Sequence, residues 1–309
     1  MPPSLNYDSP PALRAFLSER RLGMQKKFGQ NFLINRNARE RLLDALELRA
    51  GDGVWEIGPG LGAMTQGLIA RGALVTAFEI DRGFLGVLEE FFGGVPGFVL
   101  IPGDVLKTWP QAGRPPPYLL GNLPYNIAAA LLADFIENDF FFTRMVVTVQ
   151  REVARRITAA PGSGDYSSFS VLCASAYTMS PLPVFKGASF YPPPRVDSQG
   201  IRFDLRTDID PGGYPPCFKP LVRGLFAARR KTVKNNLQNF VSSRIINREQ
   251  GRKQSAEEIC LGVLGSCGIR PNERAENLAL SDFIALAEAL EPCSQAGGRE
   301  PRGGNHDHR

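Results

Sequence analysis

Four side chains able to accept hydrogen bonds stand where short apolar runs stop. They are Glu56 in VWEIG, Glu79 closing LVTAFE, Asp104 after FVLIPG and Asn122 after YLLG. Three are carboxylates; the fourth is a neutral amide that opens Asn122-Leu123-Pro124-Tyr125. Behind Glu56 comes Gly58-Pro59-Gly60-Leu61-Gly62, where glycines permit a tight turn and a close ligand. Glu79 lies 21 residues past Gly58, the spacing at which an acid takes ribose hydroxyls in a nucleotide-binding βαβ unit. The G-x-G-x-G pattern is not the pyrophosphate fingerprint, and an acid at 56 repels phosphate. A cationic ligand suits the set better, namely the sulfonium and ammonium of S-adenosyl-L-methionine. Asp104 can then accept from the adenine amine, and a hydrogen bond to a charged acceptor contributes about 1.5–3 kcal/mol.

Read locally, GNLPYN is a strand ending in a proline turn. Beside those carboxylates it becomes a place to hold a flat amine. The Asn122 carboxamide oxygen and the carbonyl of Leu123 or Pro124 can accept both N–H groups of an exocyclic amine, and the Tyr125 ring can stack on the base. An adenine amine is a poor nucleophile because its lone pair is delocalised. Accepting both N–H bonds pulls the nitrogen toward tetrahedral geometry and frees that pair to attack a methyl group. Such catalysis is positioning plus electrostatics and needs no strong base.

Composition narrows the alternatives. The only histidines are His306 and His308, in a Gly-rich tail, so neither a His base nor a His-ligated metal is expected. Five cysteines at 173, 217, 260, 267 and 293 form no C-x-x-C pair, which suits reduced thiols in a cytoplasm. No secretory signal or spanning segment is evident. The net charge is +5, but Lys219–Lys253 carries ten basic residues against Glu249 alone. That segment is +9 and the remainder −4, an asymmetry that suggests a polyanion partner or a solvated helix face.

The elements that must position these groups alternate. Strands are expected at Val54–Ile57, Leu74–Glu79, Phe98–Pro102, Tyr118–Gly121 and Met145–Gln150, with helices between, which gives a parallel sheet covered on both faces. The Pro-rich stretch from Phe185 reads as a loop leading into a last strand, Gln199–Leu205. Phe218–Phe240 reads as one helical run, placing Arg223, Arg230 and Lys234 on roughly one face. The expected division is an N-terminal extension (1–22, poorly ordered to residue 12) and a main domain (23–206). A linker (207–216), a smaller all-helical domain (217–291) and a disordered tail (292–309) complete it.

The ordered series KKFGQNFL (26–33), EIGPGLG (56–62), EIDR (79–82), GD (103–104), NLPY (122–125), QREVARRI (150–157), FYPPPRVDS (190–198) and RRKTVKNNL (229–237) resembles the ribosomal RNA adenine dimethyltransferases. It is most similar to their bacterial small-subunit branch. The resemblance implies a Rossmann-like class I methyltransferase sheet with a helical RNA-binding domain. It implies dimethylation of two adjacent adenosines near the 3′ end of 16S rRNA, with a role in small-subunit biogenesis. By the same resemblance, Asn31, Leu33 and Gly58 hold the methionine end of S-adenosyl-L-methionine, Glu79 its ribose and Asp104 its adenine. Asn122 touches cofactor and target, Leu123 and Pro124 complete the motif, and Tyr125 and Phe190 sandwich the flipped base. Arg223, Arg229, Arg230, Lys231 and Lys234 are the expected phosphate contacts. The expected partner is small-subunit ribosomal RNA in an assembling particle, bound by a cytoplasmic monomer with no metal and no membrane contact. A related methylase of large-subunit RNA and a non-catalytic assembly factor are the rival readings. The GIRPNERAENLALSDF stretch (268–283) and RRKTVKNNL favour the small-subunit branch over the first, and the intact acid and amide set argues against the second.

Overall fold

A computed structural model describes residues 5–25, 30–244 and 255–295. Residues 26–29 of the KKFGQNFL stretch, the basic segment beyond Arg244 as far as residue 254, both histidines and the tail from 296 fall outside the described residues. In chain order come α1 (Pro10–Glu19), β1 (Phe32–Leu33), α2 (Arg36–Asp44), β2 (Gly53–Ile57), α3 (Ala63–Ala70), β3 (Leu74–Glu79) and α4 (Arg82–Phe92). Next are β4 (Phe98–Pro102), α5 (Val105–Thr108), β5 (Tyr118–Asn122), α6 (Ala128–Glu137), β6 (Arg144–Gln150), α7 (Arg151–Ile157) and α8 (Ser168–Ala176). β7 (Tyr177–Phe185), β8 (Phe190–Tyr191), β9 (Ser198–Leu205), α9 (Phe218–Phe226), α10 (Val233–Arg244), α11 (Ala256–Ser266) and α12 (Leu280–Gln295) complete the described chain.

Seven strands form one sheet in the order β4-β3-β2-β5-β6-β9-β7. The first five run parallel, β9 runs against them beside β6, and β7, antiparallel to β9, returns to their direction. β2 and β5 are buried along nearly their whole length, as expected of strands with helices on both faces. The order reverses between β2 and β5, so their carboxyl ends flank the crevice where open α/β sheets bind ligands.

The chain divides into two compact units, one of residues 1–158 and 176–209, the other of 159–175 and 210–309. This differs from the division expected at 206 and 217. Residues 159–175 join the C-terminal helices because buried Tyr166 donates to the Leu278 carbonyl at 3.0 Å, and Gly162 N–H donates to that of Glu276. Within the expected linker, Tyr214 stacks on Phe218 at 4.4 Å.

Two further expectations need correction, and one strand was not expected. The short helix expected at Leu13–Leu22 is α1, but it starts at Pro10, inside the stretch expected to be poorly ordered, and its Leu13 and Leu17 are buried beside Phe84, Leu88 and Phe91 of α4. β7, which ends at Phe185 where the expected loop begins, is a strand that was not among those expected. It lies at the sheet edge, where prolines are tolerated, and its pairing with β9 shifts register between Pro181 and Val184. The run 218–240 is broken into two helices, because buried Asn236 Nδ2 donates to the carbonyls of Leu225 and Ala228 and so ends α9.

Candidate functional site

A cavity of about 280 Å³ opens at the carboxyl ends of β2, β3, β4 and β5. Gly58, Glu79, Asp104 and Asn122 each bring one strand end to it, and Leu33 of β1 and Asn31 just before it border it as well. Leu123, Pro124 and Tyr125 extend the same wall. The glycine turn is held in left-handed conformations that favour glycine, with φ of +68° at Gly58 and +89° at Gly62. At Gly62 a Cβ would also stand 2.3 Å from the Phe92 ring, so only glycine can start α3 here.

Glu79 is 5% exposed. Its Oε1 accepts from the N–H groups of Ile80 (2.9 Å) and Asp81 (2.8 Å), and its Oε2 accepts from Gly60 N–H at 3.1 Å. Burial pushes this carboxyl up to about 7, and the backbone N–H groups oppose the shift. Asp104 accepts from Leu106 N–H at 3.1 Å, capping α5 while bordering the cavity.

Asn122 Nδ2 donates to the Asn31 carbonyl at 2.8 Å. A carbonyl neighbour fixes which end of the amide is nitrogen, so Oδ1 remains an acceptor with no protein partner among the described residues. The Pro124 carbonyl is already engaged by the N–H groups of Ile127 and Ala128 at the start of α6. Of the two expected carbonyls, that leaves Leu123's for a ligand. The Tyr125 hydroxyl meets Ser198 Oγ at 2.6 Å, which locks the ring, and burial pushes the phenol up.

Phe190 is not on the cavity wall. Its ring is 2% exposed and belongs to the core with Leu33 and Phe185, while its backbone pairs with Leu33. The sandwich with Tyr125 is therefore not formed in this structure. Glu56 is fully buried behind the turn, with Oε2 accepting from Thr65 Oγ1 at 2.7 Å and Oε1 unpaired among the described residues. Burial pushes it up to about 8, so it is mostly protonated at neutral pH. Charge repulsion at Glu56 is thus not what excludes a phosphate.

Sequence reasoning missed Asp81 and Gln30. Asp81 caps α4 through Gly83 N–H at 2.9 Å, and its Oδ2 accepts from Gln30 Nε2 at 2.8 Å, anchoring the segment that leads through Asn31 into β1. The Asp81 cap was legible as an acid just before a helical run; its long-range partner was not.

The donor set fits S-adenosyl-L-methionine. A buried carboxylate with its own backbone partners, a second acid and an apolar floor match a ribose, an adenine and a cationic sulfonium. Those residues would hold the cofactor.

In the helical unit, Arg229, Arg230 and Lys231 lie on the turn between α9 and α10, so they share no helix face with Arg223 and Lys234. Arg229 pairs with Glu276 at 2.9 Å and donates to the Gly164 carbonyl; Lys234 pairs with Glu257 at 2.6 Å. Arg223, on α9, is exposed. Arg230 and Lys231 are exposed and in no ion pair among the described residues.

The family model described as ribosomal RNA adenine dimethylase matches residues 22–256. The ribosomal RNA small subunit methyltransferase A of Treponema denticola is 42% identical over 291 residues, 92% of this chain and 96% of that protein. The protein of that name from Borreliella afzelii is 36% identical over 287 residues, 93% and 96% of the two chains. Among solved structures, a dimethyladenosine transferase from Plasmodium falciparum is similar with a TM-score of 0.72 at 22% identity, covering 84% of this chain and 97% of that one. The 23S rRNA methyltransferase ErmE is similar with a TM-score of 0.58 at 23% identity, covering 84% and 98%. Those two likenesses speak for the fold.

Proposed function

The chain belongs to the ribosomal RNA adenine dimethylase family, and on that premise we propose that it dimethylates two adjacent adenosines near the 3′ end of 16S rRNA. S-adenosyl-L-methionine, the methyl donor of this family, supplies an electrophilic methyl group when bound. The observation that carries the reading is the Asn122 amide, whose nitrogen is tied to Asn31 and whose oxygen is left to accept.

Asn122 Oδ1 and the Leu123 carbonyl accept the two N–H groups of the target amine, which frees the nitrogen lone pair. The amine proton becomes acidic only once the nitrogen is alkylated, so these neutral acceptors suffice. Tyr125 offers a stacking face worth about 1–3 kcal/mol, against a few kcal/mol for extruding the base. Phe190 becomes the second face only by leaving the core; in its present place it supports Leu33. Glu79 and Asp104 hold the ribose and adenine of the cofactor, and Asn31, Leu33 and Gly58 its methionine end.

Arg230 and Lys231, with Arg223, Arg229 and Lys234 around them, contact RNA phosphates. Such contacts position the target without reading sequence. The protein works as a monomer on an assembling small subunit in the cytoplasm, and it contributes to small-subunit biogenesis. Among the described residues no helix is long and apolar enough to cross a membrane.

The test is to incubate the protein with labelled S-adenosyl-L-methionine and unmethylated small subunits, then map the modified bases. Label in two neighbouring dimethyladenosines near the RNA 3′ end is expected. Label confined to other bases, or to large-subunit RNA offered in parallel, would overturn the proposal.

A further inference from the structure

Tyr7 and Arg39 border the same cavity, although neither belongs to the glycine turn or to the strand ends. Tyr7 comes from the segment before α1, and its hydroxyl donates to the Leu61 carbonyl inside the glycine turn at 2.9 Å. Arg39 points inward from α2 and is 7% exposed. One of its terminal nitrogens donates to the Leu33 carbonyl at 2.8 Å, and the other pairs with Asp8, the residue next to Tyr7. A guanidinium has five N–H donors, so three are left without a protein partner among the described residues. Asp8 is about half exposed. A cation this deeply buried, with spare donors on a cavity wall, is matched to an anionic group of a ligand. Its tie to Leu33 places it near the residues proposed to hold the amino-acid end of the cofactor.

Given that this cavity holds S-adenosyl-L-methionine, as proposed above, we infer that Arg39 receives the cofactor's α-carboxylate and that Tyr7 and Asp8 make the N-terminal segment part of the cofactor site. Arg39 is then a specificity residue. It favours ligands with a free carboxylate, and Asp8 holds its guanidinium in a fixed direction. Tyr7 closes the wall between that guanidinium and the glycine turn.

The test is calorimetric binding in the absence of RNA, comparing S-adenosylhomocysteine with 5′-methylthioadenosine, which lacks the amino-acid end. For Arg39→Leu we expect at least a tenfold loss of S-adenosylhomocysteine affinity and less than a twofold change for 5′-methylthioadenosine. Arg39→Lys should recover part of the loss. Should Arg39→Leu fail to fold, Arg39→Gln gives the same comparison. Equal losses for both ligands would make Arg39 a purely structural tie and overturn the inference, as would no loss for either. Failure of the wild-type protein to bind either ligand would instead overturn the cofactor assignment itself.

Discussion

The cavity at the strand ends and the α9–α10 turn both carry charged residues, but their charges are held in different ways. In the cavity, Glu79 is fixed by three backbone N–H groups from its own strand end and the glycine turn. Asn122 is likewise oriented by a main-chain carbonyl. Arg229 on the turn and Lys234 at the start of α10 are paired with acids, and such surface pairs contribute only about 0–1 kcal/mol. The first arrangement is set before any ligand arrives. The second can trade an acid for a phosphate at little cost, so a count of basic residues overstates the charge on offer to RNA.

The largest effect that would sharpen this contrast is at Glu79. Replacing it with Gln removes a charged acceptor, and S-adenosylhomocysteine affinity should fall about 10- to 100-fold by calorimetry. The wild-type affinity should also rise between pH 6 and 8, as the carboxyl ionises around 7. In Glu79→Gln that rise should vanish; a retained rise would remove Glu79 from the cofactor's partners.

A smaller effect is expected at the turn. Neutralising Arg230 and Lys231 to Gln should lower the slope of log affinity against log salt for RNA by about two. The same change at Arg229 and Lys234 should lower it by about half as much, because acids already neutralise part of their charge. Equal slopes for the two double variants would erase the distinction between paired and unpaired cations.

The smallest effect concerns Glu56, which burial pushes up from 4.5 to about 8. The folded state therefore keeps a proton that the unfolded chain releases. The stabilisation this gives is full below pH 4.5 and is lost as pH rises toward 8. Glu56→Gln does not titrate, so its melting temperature relative to wild type should climb by a few degrees between pH 5 and 8. Parallel curves in a thermal-shift series would show that Glu56 is not held neutral.

What the sequence revealed follows the same divide. The strand ends bearing Glu79, Asp104 and Asn122 were legible because apolar runs, glycines and acids alternate within about 20 residues of one another. β7 was not among the expected strands: Pro181 and Pro183 interrupt its pattern, and its edge position is what makes them acceptable. The break after Phe226 carries no Gly or Pro; Asn236 imposes it from ten residues downstream. The partners of Arg229 and Lys234 lie 47 and 23 residues away, and Tyr7 reaches a carbonyl 54 residues away. Residue type and local spacing therefore located the chemistry, whereas pairing and enclosure depend on contacts made only by the folded chain.

The most direct measurement is made on Asn122→Ala, with dimethyladenosine yield and affinities for S-adenosylhomocysteine and RNA determined on the same preparation. Loss of the amide acceptor should lower single-turnover methyl transfer by about 10²–10³-fold, with RNA affinity nearly unchanged and cofactor affinity reduced far less than transfer. Wild-type dimethyladenosine yield and rate from that variant would contradict activation of the adenine amine at Asn122.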